Sequence, residues 1–119
     1  MTELNLVPNE KWETICTESD LVANSGICAL VQGQQVAIYY LPNEKPAIYA
    51  LSNWDPIGEA NVMSRGIIGS LNDELVIASP LYKQHYSLTS GQCLEDETQQ
   101  LMVYPIQFSN GKVSIQISA

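Results

Sequence analysis

The chain is poor in the residues that hold metals and nucleic acids. Its 119 residues include one histidine, His85, so no site that needs two imidazole ligands can be assembled within it. Cysteine is scarce too: Cys16, Cys28 and Cys93 make an odd number, with no C-x-x-C spacing. That pattern fits reduced thiols in a cytoplasmic protein and not a disulfide framework. Ligation by four thiolates fails on the same count. A zinc site built from the three cysteines and His85 lacks the closely spaced ligand pair that such sites use. Five basic residues (Lys11, Lys45, Arg65, Lys83, Lys112) stand against 13 acidic ones, for a formal net charge of −8. Nucleic-acid affinity comes largely from neutralised phosphates, so this balance argues against that class and against an anionic membrane surface. No stretch approaches the roughly 20 apolar residues of a membrane helix. The start, Met1 to Pro8, lacks the basic and apolar regions of a signal peptide. Glycine-rich nucleotide fingerprints are missing. Asp55, Ser79 and His85 supply the residue types of a hydrolytic triad, but no G-x-S-x-G elbow accompanies them.

Helical periodicity is also largely missing. What recurs instead is a series of short runs rich in Val, Ile and Tyr, separated by turn residues, the pattern of an all-β domain. Strands are expected over 12–16, 27–31, 36–41, 47–51, 67–71, 75–78, 101–108 and 113–117. Asn110-Gly111 suits a type I′ turn, which pairs the last two runs antiparallel. Gln32-Gly33 and Asn72-Asp73 mark two more tight reversals. One short helical turn is expected between Glu18 and Asn24, with Ser19 as its cap. At 45% apolar residues the composition is that of a globular chain. We expect a single domain over 1–119, with 1–10 as an N-terminal extension, built as an antiparallel β-sandwich or barrel.

Two loops carry the functional signal. The first reads Ser52-Asn53-Trp54-Asp55-Pro56-Ile57-Gly58, and the second Ala78-Ser79-Pro80-Leu81-Tyr82-Lys83-Gln84-His85-Tyr86-Ser87-Leu88 followed by Thr89-Ser90-Gly91. Their layout resembles the Rieske ferredoxin domain, in which one loop supplies C-x-H and the other C-P-x-H to a [2Fe–2S] centre. Such a centre takes two thiolates on one iron and two imidazoles on the other. Here the ligand positions fall on Asn53, Asp55, Ser79 and Tyr82, and the lone histidine forbids the set. The finer pattern adds Ser64-Arg65-Gly66 and Gln92-Cys93-Leu94-Glu95-Asp96. From about Trp12 onward it is similar to the small-subunit family of the assimilatory NAD(P)H-dependent nitrite reductase.

The resemblance implies a Rieske-like fold without a cluster, and no cofactor or catalytic residue in this chain. It further implies a cytoplasmic partner, a large subunit with FAD, an iron–sulfur cluster and sirohaem that reduces nitrite to ammonia. A free-standing adaptor module on the same scaffold is the alternative. Trp54, Pro56, Pro80, Lys83, His85 and Tyr86 are the candidate partner-binding residues. Trp54 either anchors a partner or folds back into the space of the missing cluster. Arg65 is placed to brace the first loop through Asp55 or Glu59. The acids Glu95, Asp96 and Glu97 read as a solvated run.

Overall fold

The computed structural model describes residues 12–116. The expected N-terminal extension, and Ile117 at the end of the last expected strand, lie outside the described residues.

Strand β3 (Gln34–Tyr40) is apolar at successive positions from Val36 to Tyr39, so neither of its faces suits water. It lies between β2 (Ser25–Val31) and β4 (Ile48–Ser52), antiparallel to both. With β10 (Val103–Tyr104) these make a four-stranded sheet in the order β10-β4-β3-β2. Side chains alternate along a strand, so this sheet carries a core on each face. Val36, Ile38, Ile48 and Ala50 pack with Val31, Val113 and Ile115. Ala37, Tyr39, Tyr49 and Leu51 pack on the opposite side with Met63, Ile77, Tyr86, Leu88, Cys93 and Leu101. A fully buried aliphatic side chain contributes roughly 1.5–3 kcal/mol, so both cores stabilise the central sheet.

The first core is closed by β1 (Trp12–Thr17), β12 (Lys112–Gln116) and β11 (Ile106–Ser109), in the order β1-β12-β11. The second is closed by β7 (Ile67–Leu71), β8 (Glu74–Ala78) and β9 (His85–Ser87), in the order β7-β8-β9. A two-rung ladder, β5 (Trp54–Asp55) with β6 (Ala60–Asn61), folds the first loop back on itself. Among the described residues there is no α-helix.

The turn chemistry reads as expected. Asn110 and Gly111 have φ of 54° and 75°, Gln32 and Gly33 51° and 80°, and Asn72 and Asp73 54° and 63°. Two expectations change. The run 101–108 is not one strand, because Pro105 has no N–H to donate. The chain passes there from one sheet to another, with β10 pairing β4 and β11 pairing β12. The short turn after β1 is a 3-10 segment over Glu18–Asp20, and Thr17 takes the cap position expected of Ser19. Asp20 accepts from the Thr17 N–H at 2.9 Å.

Candidate functional site

Both loops leave the sheets at the same end, and each is shaped by polar groups at its base. In the first loop Asn53 is buried, and both ends of its amide are used. Its Oδ1 accepts from the Ser64 N–H at 2.7 Å, and its Nδ2 donates to Gln35 Oε1 at 3.1 Å. Its backbone N–H donates to the Gln35 carbonyl at 3.0 Å, and its carbonyl accepts from Met63 N–H at 3.0 Å. Asn53 therefore rivets the loop to β3 and to the 3-10 turn Met63–Arg65.

Asp55 is fully buried. Its Oδ1 accepts from the N–H groups of Ile57 and Gly58, each at 2.9 Å. Its Oδ2 accepts from the hydroxyl of Ser79, also buried, at the base of the second loop. Ser79 Oγ accepts in turn from the Leu81 N–H at 3.2 Å. The second loop is closed by Ser79 N–H to the Gln84 carbonyl at 2.9 Å and Lys83 N–H to the Ser79 carbonyl at 3.1 Å. Leu81 lies directly over Gly58, where a Cβ would collide with it. The two loops thus touch twice, through a buried polar bond and an apolar contact.

A third segment buttresses the second loop. Glu95 accepts from the His85 backbone N–H at 2.8 Å through Oε1, and meets His85 Nδ1 at 2.6 Å through Oε2. Leu94 N–H donates to the His85 carbonyl at 2.8 Å. Partial burial pushes the Glu95 carboxyl up, but the hydrogen bonds and charge of His85 outweigh it and hold the carboxyl below its usual range. Glu95 is therefore a clamp on His85 and not a free member of an acidic run.

The fate of each expected site residue follows. Trp54 is 45% exposed, so it faces outward and does not fill the space between the loops. Pro80 and Lys83 are exposed, and Pro56 and His85 are half-buried. Tyr86 corrects an expectation: it is 0% exposed and cannot touch a partner. The cause is register, since it pairs with Ile77 in the centre of the second core. Among the described residues its buried hydroxyl has no hydrogen-bond partner. Burial, and then the Asp55 carboxylate nearby, push its ionisation well above the usual range for tyrosine. Arg65 pairs with neither Asp55 nor Glu59 among the described residues, and the Asp55 oxygens are already engaged. Two apolar residues at the loop end, Leu81 at 44% and Tyr82 at 63% exposed, had not been singled out as contacts. The signal was available in Gly58, the small residue that admits Leu81.

The fold implies a [2Fe–2S] cluster, and the residues present do not fit one. Asn53 and Ser79 are neutral donors where thiolates supply charge to iron. Asn53, Asp55 and Ser79 have committed their donor atoms to protein partners, and Tyr82 is turned to solvent instead of converging with them. Among the described residues no group of three or more His, Cys, Asp or Glu is placed to hold a metal ion. No helix there is long and apolar enough to cross a membrane.

Two β-loops presented from one end of a sheet whose faces both bear cores define a Rieske-like domain, and the family model for the Rieske-like [2Fe-2S] domain matches residues 11–116. Nitrite reductase (NADH) small subunit from Salmonella typhimurium is 41% identical over 106 residues, covering 89% of this chain and 97% of its own. The solved structure of the Escherichia coli protein NirD matches with a TM-score of 0.80 and 37% identity, covering 92% of this chain and 99% of its own. The chain belongs to the nitrite reductase small-subunit family. It is also 35% identical over 107 residues to part of a nitrite reductase [NAD(P)H] large subunit from Klebsiella oxytoca, a match covering 90% of this chain and 11% of that one.

Proposed function

We propose that the chain is a cluster-free docking subunit of a cytoplasmic NAD(P)H nitrite reductase, folded as one domain. In this reading the large subunit carries FAD, an iron–sulfur cluster and sirohaem and reduces nitrite to ammonia, while this chain organises it without carrying electrons. The observation that carries the reading is the Ser79–Asp55 bond. It ties the loops where a cluster would otherwise join them, and the same end exposes Trp54, Leu81 and Tyr82. Large exposed aromatics are residues that anchor protein interfaces, and loops already fixed by hydrogen bonds lose little entropy on binding. The Klebsiella relative supports the choice of partner, because there a similar module is part of the large-subunit chain itself.

Two measurements test the reading. Protein purified from cells should be colourless and free of iron; a cluster absorption spectrum with stoichiometric iron would overturn it. The large subunit should co-purify with the wild type from nitrite-grown cells, and poorly with Trp54→Ala/Lys83→Glu. Full co-purification with that variant would place the interface elsewhere.

A further inference from the structure

The two loops repeat one local design. In each, a side chain at the base caps the loop backbone: Asp55 Oδ1 on Ile57 and Gly58 N–H at 2.9 Å, and Ser79 Oγ on Leu81 N–H at 3.2 Å. In each, an N–H four residues on returns to the carbonyl at the base: Glu59 to Asp55 at 2.7 Å, and Lys83 to Ser79 at 3.1 Å. In each, that fourth residue has left-handed backbone, φ 56° at Glu59 and 64° at Lys83. Glycine, asparagine and aspartate suit this conformation, and longer side chains do not. The chain otherwise follows that rule at Asn24, Gly33, Asn72, Asp73, Gly91, Asn110 and Gly111, with Gln32 the other exception. Glu59 and Lys83 are exposed, and among the described residues neither joins an ion pair. Both sit beside the apolar contact between the loops. Glu59 follows the glycine that Leu81 covers, and Lys83 lies two residues beyond Leu81.

We infer that Glu59 and Lys83 form a two-sign orientation code on the docking end, an inference that rests on the small-subunit reading above. The surface it fits is an apolar socket for Trp54 and Leu81, flanked by a cationic side chain opposite Glu59 and an anionic one opposite Lys83. The occupant is the nitrite reductase large subunit. A second copy of this chain would bring a like net charge of −8 and is disfavoured. In the Klebsiella relative a similar module is covalently part of the large subunit, which keeps the two at high effective concentration. A face of one sign accepts any patch of the opposite sign. Two signs at fixed points admit one orientation.

The test is affinity for purified large subunit, measured by calorimetry at low and high salt, for Glu59→Lys, Lys83→Glu and the double variant. Each single reversal should weaken binding about tenfold or more. The double variant, which keeps the net charge at −8, should bind more weakly than either. If net charge alone guides docking, the single reversals act in opposite directions and the double variant binds like the wild type, which overturns the code. Trp54→Ala separates the two levels of the argument. Weak binding by Trp54→Ala beside unaffected charge variants removes only the code. Full binding by Trp54→Ala removes the docking end and the code together. Lys83→Gly guards against misfolding as a cause: relief of the left-handed backbone should raise the melting temperature while binding falls.

Discussion

Ser79 donates its hydroxyl hydrogen to Asp55, and this one bond between fully buried side chains joins the bases of the two loops. The carboxylate also holds the N–H groups of Ile57 and Gly58. Removing the hydroxyl leaves the Asp55 Oδ2 acceptor and the Leu81 N–H donor without that partner, so Ser79→Ala should cost about 1–3 kcal/mol in urea unfolding. Asp55→Ala strands the serine hydroxyl and two N–H groups together, and should cost about 2–4 kcal/mol. Equal, negligible costs for both variants would show that the loops are held by the Leu81–Gly58 contact alone.

Tyr86 makes the opposite prediction. Its hydroxyl is buried and has no partner among the described residues, so its burial carries a desolvation penalty with no hydrogen bond there to offset it. Tyr86→Phe should leave stability unchanged or raise it by about 1 kcal/mol, read as a shift in the urea midpoint. Association with the large subunit should not change, because the side chain is inaccessible.

Tyr86 also shows what the sequence can and cannot disclose. The central strands were legible because Val36 to Tyr39 and Ile48 to Leu51 are apolar at every position. The hairpin turns were legible because Asn and Gly advertise left-handed backbone. The mismatch with the two-imidazole ligand set of a Rieske centre followed from a single histidine. By contrast, β5, β6 and β9 are two or three residues long and carry no readable period. Without β9 the register of Tyr86 against Ile77 is invisible, so a buried tyrosine passed for a surface one. The Glu95 clamp crosses ten residues, and an acid in a polar run looks the same whether or not it meets a histidine. The break at Pro105 was written in the sequence, in a residue that cannot donate to a central ladder.

The Glu95 clamp should make the loop end acid-sensitive. Its carboxyl titrates below the usual 4.5 when folded, because His85 donates to it through its backbone and its ring. A depressed folded value means that the unfolded chain takes up the proton first as acid is added. The stability that Glu95 contributes is present above about pH 4.5 and is lost as pH falls through the lower, folded value. Glu95→Gln should therefore flatten the pH dependence of the melting temperature in that acid window. Unchanged steepness in the variant would assign the acid sensitivity to another group.

Three glycines give a graded test of how tightly the second core is tied to the loop end. Gly69 has an ordinary backbone and nothing within 4 Å of an added Cβ. Gly69→Ala should stabilise the fold by about 0.4–1 kcal/mol, through the unfolded chain. Gly33 has φ of +80° but open space around it, so Gly33→Ala meets only the backbone penalty, about 1 kcal/mol. Gly91 combines φ of +78° with a Cβ position that collides with the Leu101 carbonyl. Its N–H donates to Ser87 and its carbonyl accepts from Leu101, each at 2.8 Å, so neither side can retreat without breaking a bond. Gly91→Ala should cost about 2–4 kcal/mol, the sum of strain and overpacking. The ordering of the three midpoints in urea is the decisive readout. If Gly91→Ala ranks with Gly33→Ala, the segment from His85 to Leu101 yields easily, and the buttress it gives the docking loop is soft.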